Sequence, residues 1–262
     1  MERKPQPTRP RVALASGRPA AVRAARRAVQ TQPAGRVSLL EADPDLAPFL
    51  PRDQLALARR FALCEQRSLD RGRWQVEGDP AVDCAHFGLF VVDGVLLRRA
   101  EVGRRSSVEL LGAGDVLCPD LPHGDPNVSM PQGGSWTVLR PVRLAVLDED
   151  FVAGLGGLRR VLSELNRRTL RRSRDLATRL ALVDEPCLET RLENLLWHLA
   201  DRFGRRQRGA VVLSDLPLTQ QLLAELASAH RCAASRALAR LEEHGRLEER
   251  PDGAYALVLP AS

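Results

Sequence analysis

The sequence predicts an α+β fold in three parts: an N-terminal antiparallel β-roll of jelly-roll type, a long helix, and a C-terminal winged helix-turn-helix. Three patterns carry this. Short apolar runs separated by glycine turns crowd residues 87–147, a narrow apolar stripe runs from Leu158 to Val183, and Leu218–Leu241 divides into two short amphipathic helices followed by a hairpin.

The C-terminal unit is the most explicit. Thr219 stands before an apolar run, where its hydroxyl can accept from an unpaired amide one turn inside the helix. Leu222, Leu223, Leu226 and Ala227 fall at helical spacing. Ser228-Ala229-His230 supplies the turn, and Ala234, Ala237, Leu238 and Leu241 repeat the spacing in a second helix. This leaves Arg231, Cys232, Ser235 and Arg236 on its outer side. Gly245 is a stop signal, and Asp252-Gly253 between Leu247–Arg250 and Tyr255–Val258 reads as a hairpin turn. Such a unit lays its second helix in the major groove of DNA. A helical hairpin whose arginines form a solvated face has the same periodicity.

Ahead of it, Leu188–Phe203 forms a strongly amphipathic helix ending at Gly204, with Trp197 in the core and His198 turned elsewhere. Pro186 closes the preceding long helix, whose stripe is Leu158, Leu162, Leu165, Thr169, Leu176, Leu180 and Val183. A stripe this narrow resembles a coiled-coil seam and suits pairing with a second copy of the chain. Packing on the chain's own β domain is the competing use, and the flanking arginines read as a solvated face. In the β region the expected strands are Phe87–Val92, Val95–Ala100, Val108–Leu111, Trp136–Leu139 and Val142–Leu147. Asp93-Gly94 is the expected hairpin turn and Gly112-Ala113-Gly114-Asp115 a second turn. Residues from Val37 to about Arg73 look helical with proline breaks. Residues 1–36 are rich in Arg, Ala and Pro and read as a disordered basic tail. That tail is open to three readings: contact with DNA phosphates, a transit-peptide-like segment, or an over-extended start. The expected domains are thus 37–150 as sensor roll, 151–185 as dimerisation helix and 186–262 as the winged helix-turn-helix.

Composition narrows the classes. The 262 residues suffice for about two domains. No apolar run approaches the about 20 residues needed to span a bilayer, and no secretory signal is evident, so the expected location is cytoplasmic and no membrane partner is expected. The net charge of +6 favours a polyanionic partner. Its weight is modest, because Lys4 is the only lysine and arginine is raised throughout. The five cysteines, Cys64, Cys84, Cys118, Cys187 and Cys232, form no CxxC pair and read as reduced thiols, not a disulfide framework or zinc site. No nucleophile elbow, zinc-protease motif, phosphate loop or dinucleotide fingerprint occurs, so no enzyme is expected. Gly154-Leu155-Gly156-Gly157 reads as a hinge before the long helix, and Asp148, Glu149 and Asp150 as acids at a helix start.

The order of parts resembles the Crp/Fnr family of transcription regulators. The resemblance rests on FGLFVVDGVLLRR with LLGAGDVL, PVRLAVLDEDF, ETRLENLLWHLADRFG and LTQQLLAELASAHRCAASRALARLEEHGRLE, and spans about Val37 to Leu259. It implies a sensor roll, a dimer through the long helices, and winged helices fitted to half-sites on double-stranded DNA. It also implies DNA-contacting roles for Thr219, Gln220, His230, Arg231, Cys232, Ser235 and Arg236, and makes RNA polymerase a further partner. Relatives that bind a cyclic nucleotide use a Gly-Glu pair and then Arg-Ser or Arg-Thr for the phosphate. Here Cys118-Pro119 stands at the Gly-Glu position and no cation occurs between Arg105 and Arg140. The expectation is a degenerate sensor without high-affinity cyclic nucleotide binding by that mode. Iron–sulfur sensing would need clustered cysteines. His86 and His123 read as structural or solvated instead of haem ligands, so no cofactor is expected and the effector is unknown. The rival is a ligand-sensing module that acts through protein contacts, with a cyclic nucleotide or other small effector in the roll.

Overall fold

The computed structural model describes residues 28–85, 87–103, 105–119, 132–155 and 158–259, with the backbone alone for Cys84, Gln132 and Gly133. His86, His123 and most of the stretch compared with the cyclic-nucleotide cassette lie outside the described residues.

Two long strands organise the roll. β5 (Leu89–Val102) and β8 (Gln132–Val146) pair antiparallel along nearly their whole length. β5 also pairs with β6 (Arg105–Gly112) and with β7 (Val116–Leu117). β8 carries β3 (Leu63–Leu69) and β4 (Gly72–Trp74) on its other side. β2 (Gln32–Ser38) pairs with β3, and β1 (Ala28–Val29) lies parallel to β4.

Here three expectations fail. Asp93-Gly94 is not a hairpin turn: it is an irregularity inside the continuous β5, where the register against β8 shifts on both sides. Gly94 has φ +92°, and a Cβ there would stand 2.2 Å from the Pro141 carbonyl oxygen. The dipeptide is needed because β8 crosses against it. Likewise Trp136–Leu139 and Val142–Leu147 are one strand, not two, and Pro141 sits within it. Second, the segment expected to be helical up to Arg73 holds helices only to α2: α1 (Leu39–Ala42), a 3-10 turn at Pro44–Phe49, and α2 (Arg52–Phe61). β3 and β4 follow. Burial of the polar Gln66 hides the alternation that would have announced β3. Third, residues 28–36, expected in a disordered tail, contain β1 and part of β2. The side chains from Gln32 to Arg36 are all exposed, so β2 has almost no apolar alternation. It is held by backbone pairing and by Asp79, which accepts from the Thr31 amide at 2.8 Å, the Trp74 indole at 2.9 Å and the Ala81 amide at 3.0 Å.

The interior of the roll is filled by Leu69, Trp74, Leu89, Leu96, Leu111, Trp136 and Leu144, with Trp74 and Trp136 meeting edge to face at 5.7 Å. The Gly112–Asp115 turn forms as expected: the Asp115 carboxylate accepts from the Gly112 amide at 2.8 Å, and Gly114 has φ +86°. α3 (Pro80–Cys84) and α4 (Glu149–Leu155) are short; of the expected hinge Gly154–Gly157, Gly154 and Leu155 lie inside α4 and Gly156 and Gly157 lie outside the described residues. α5 (Arg159–Val183) is the long helix and α6 (Leu188–Phe203) the amphipathic one.

The C-terminal unit adds α7 (Gln220–Leu226), α8 (Arg231–Glu243) and a sheet in the order β11-β12-β10-β9. The β11 (Leu247–Glu249) and β12 (Tyr255–Val258) hairpin was legible; β9 (Arg205–Gln207) and β10 (Ala210–Val212) were not. Leu192, Leu195, Leu196, Leu222, Leu223, Ala237, Leu238 and Leu241 form its core. That core runs on into Val95, Leu97, Val108 and Leu110 on the outer face of the roll, so the two share one apolar cluster. Among the described residues no helix is long and apolar enough to cross a membrane.

Candidate nucleic-acid interface

The helix-turn-helix is built from local interactions. Thr219 caps α7, its Oγ1 accepting from the Leu222 amide at 3.1 Å. α7 ends in a left-handed residue, Ser228, at φ +50°, the one non-glycine residue with positive φ among those described. The Ala229 amide donates to Ala224 and the Ser228 amide to Glu225, which closes the helix end. α8 ends the same way at Gly245 (φ +67°), with Arg246 donating to Leu241 and Gly245 to Glu242. The wing turn follows at Asp252-Gly253, where Asp252 accepts from the Ala254 amide at 3.0 Å.

Burial divides α8 into two faces. Ala234, Ala237, Leu238 and Leu241 are buried against α6 and α7. His230, Arg231, Cys232 and Arg236 are exposed and Ser235 is half-buried. Thr219 and Gln220 stand at the start of α7, the first exposed and the second half-buried. All seven sequence-derived residues therefore lie on α7, on α8 or at the helix caps.

Pairing separates the arginines of this unit. Arg240 donates to Glu189 at 2.9 Å, and His244 meets the same carboxylate at 3.0 Å; together they hold Glu189 below the usual carboxylate range. Arg246 pairs with Glu193 at 2.7 Å. These side chains are struts between α6 and the end of α8. By contrast, Arg231 and Arg236 form no ion pair among the described residues; the Arg236 guanidinium only reaches back to the Cys232 carbonyl at 3.3 Å. They are free to meet an outside anion.

The stripe on α5 is split in use. Leu158 and Leu165 are buried, and Leu162 half-buried, in a cluster with Leu39, Phe90, Phe151 and Leu155 of the same chain. Leu158 caps the helix and does not lie within it. Further along, Thr169 is exposed, and Leu176 and Leu180 are 36% and 71% exposed. Leu170, outside the predicted stripe, is 50% exposed.

Ionic contacts tie the parts together, and sequence reasoning did not find them. Arg99 of β5 pairs with Glu225 of α7 at 2.6 Å. Arg172 forks onto Glu109 at 2.6 and 2.8 Å. Arg202 of α6 binds Asp115, and Arg168 of α5 binds Asp43 and donates to the Gly114 carbonyl. The arginines flanking the stripe had read as a solvated face. Arg168 and Arg172 are instead buried or half-buried partners of the roll, because each finds a carboxylate far away in sequence. Among the described residues no three His, Cys, Asp or Glu side chains converge as metal ligands. Burial pushes the Cys64 thiol up to about 12, while Cys118, Cys187 and Cys232 are exposed and not in disulfides.

Residues 190–259 match the sequence profile of the Crp-like helix-turn-helix domain. No curated protein matches the chain. Among solved structures, the fold is similar to a CooA mutant from Carboxydothermus hydrogenoformans, with TM-score 0.56 and 12% identity over 87% of this chain and 93% of that one. It is similar to CLP of Xanthomonas campestris, described as a c-di-GMP responsive global regulator, with TM-score 0.53 and 19% identity over 84% and 100%. FixK2 from Bradyrhizobium japonicum gives TM-score 0.53 and 16% identity over 74% and 92%. The overall architecture is similar to that of these solved structures. At its C-terminal end this chain carries a Crp-like helix-turn-helix domain, behind an antiparallel β-roll.

Proposed function

We propose that this chain is a homodimeric, sequence-specific DNA-binding regulator of transcription and not an enzyme. The observation that carries the reading is the pair of guanidinium groups, Arg231 and Arg236, on the exposed face of α8, which form no ion pair among the described residues. A guanidinium is a bidentate donor to guanine or to phosphate. Cys232 and Ser235 lie between them on that face, with His230 at the helix start. Thr219 and Gln220 face the backbone where α7 begins. With so few hydrogen-bonding side chains on α8, DNA shape carries part of the specificity.

The functional divisions are the sensor roll, which takes in β1 and β2 and so spans 28–150, the α5 region of 151–185 and the DNA-binding unit of 186–262. Dimerisation runs along α5, and the seam is completed by Thr169, Leu176 and Leu180 beyond the part of the stripe that Leu158, Leu162 and Leu165 commit to the chain's own core. The roll is a degenerate sensor that does not bind cyclic nucleotides tightly; its interior packed by Trp74 and Trp136 supports this. RNA polymerase is the proposed protein partner.

Fluorescence anisotropy of the full chain with genome-derived duplexes tests the reading. Arg231→Ala and Arg236→Ala each weaken binding by about 1–3 kcal/mol if they read bases. Loss of a phosphate contact lowers the salt slope by about 0.9 instead. A change below a few tenths of a kcal/mol at both positions removes α8 from the reading surface. Calorimetric titration with cyclic AMP and cyclic GMP tests the roll, and micromolar binding refutes the degenerate-sensor reading.

A further inference from the structure

Where β6, α5 and α6 meet there is a narrow cleft whose enclosed part is about 20 Å³, the rest opening to solvent. Its charged lining is Glu109, Arg172, Asp175, Arg179, His198 and Arg202. The carboxylates here are already engaged. Arg172 forks onto Glu109, and Arg202, bound to Asp115, also reaches Asp175 at 3.8 Å. Arg179 is left over. Its Nε is buried without a hydrogen-bond partner, and among the described residues it forms no ion pair within 4.0 Å. Burial lowers the affinity of this guanidinium for its proton, with Glu109 opposing at longer range. His198, half-buried beside it, is likewise held below its ordinary value by burial; Arg179 and Arg202 add to this, and Asp175 and Asp201 oppose it.

A desolvated cation without a counterion is costly, and removing that cost is what a bound anion does. We propose that the cleft is a phosphate-binding site in which the Arg179 guanidinium is the principal donor, with Arg172, Arg202 and His198 around it. The planar fork of arginine matches a tetrahedral oxyanion through two parallel hydrogen bonds. The occupant is inorganic phosphate or the phosphate of a small monoester. Arg202 ties the site to Asp115 of the Gly112–Asp115 turn. It touches the roll, α5 and the first helix of the DNA-binding unit at once, so occupancy bears on how that unit is held. This regulatory consequence rests on the proposed function; the site itself does not.

The test is thermal unfolding of the full chain in sodium phosphate against sodium chloride at equal ionic strength, with adenosine monophosphate as a third arm. The expected result is a phosphate-specific rise of about 3 °C. Arg179→Met removes the rise, yet melts in chloride no lower than the parent, because an unpaired buried charge has been replaced by an apolar side chain of similar length. Arg171→Met, at an exposed arginine of the same helix, keeps the rise. A response to phosphate alone assigns the free ion; a response to adenosine monophosphate assigns a monoester. An equal rise in the parent and in Arg179→Met, or no phosphate-specific rise in the parent, overturns the proposal. An Arg179-dependent rise in a chain that retards no DNA upholds the site while the regulatory reading fails.

Discussion

Gly94→Ala isolates the feature that local sequence signals misread. In the structure Gly94 lies inside β5 at φ +92°, and an added Cβ would stand 2.2 Å from the Pro141 carbonyl oxygen and 2.7 Å from both Cα and Cγ2 of Val142. Two of these three atoms are backbone, so no rotamer change relieves the clash. β8 must retreat by roughly 1 Å in a close-packed layer, next to the Asp93–Arg143 ion pair. Left-handed backbone costs an L-residue about 1–2 kcal/mol, and overpacking costs about 1–3 kcal/mol. The sum, about 3 kcal/mol, is a large part of a domain's stability of about 5–15 kcal/mol. Urea unfolding read by tryptophan fluorescence in a Trp197→Phe background reports the roll alone, since Trp74 and Trp136 lie in its core. Were Asp93-Gly94 an exposed hairpin turn, alanine would meet only the backbone penalty. A loss no greater than that backbone penalty of about 1–2 kcal/mol refutes the argument from the β5–β8 crossing.

Three further outcomes are expected. Thr219→Ala removes the cap on the Leu222 amide and lowers stability by about 1 kcal/mol in chemical denaturation, while Thr219→Ser retains most of it. Arg202→Met leaves the buried Asp115 carboxylate without its cation and costs about 3 kcal/mol; adding Asp115→Asn recovers part of that loss, and a double-mutant cycle with no coupling contradicts the contact. The Tyr255 hydroxyl is pushed up to about 12 from 10.0, chiefly by burial and further by Glu249 and Glu242. Because the folded state holds this proton more tightly, its contribution is complete below pH 10 and is lost as pH rises toward 12; Tyr255→Phe flattens that limb of the stability profile.

The helices and the β11–β12 hairpin of the C-terminal unit were legible because their determinants are local. Thr219, the Leu222–Leu226 spacing, Ser228, Gly245 and Asp252-Gly253 each act within a few residues, so pattern and structure coincide. The roll was legible only as a class. Asp93-Gly94 has the same local signature in a turn and in a bulge, and what distinguishes them is the Pro141 carbonyl, nearly fifty residues away. β2 exposes most of its side chains and so offers no alternation to read. On α5 the stripe announced a helix with an apolar side, but apolar spacing is the same whether the partner is the chain's own roll or a second copy. Contact with Phe90 and Phe151 is what buried Leu158 and Leu165.

The sequence by itself thus determined the long helix, the capped helices of the C-terminal unit with their hairpin, and which face of α8 carries Arg231 and Arg236, because helix periodicity and capping are short-range. Only the tertiary structure decided the path of the long strands, which arginines are spent on Glu109, Asp115 and Asp43, and that the Nε of Arg179 is buried without a hydrogen-bond partner among the described residues. Those outcomes depend on groups brought together across the chain, where burial raises the cost of every unmatched charge.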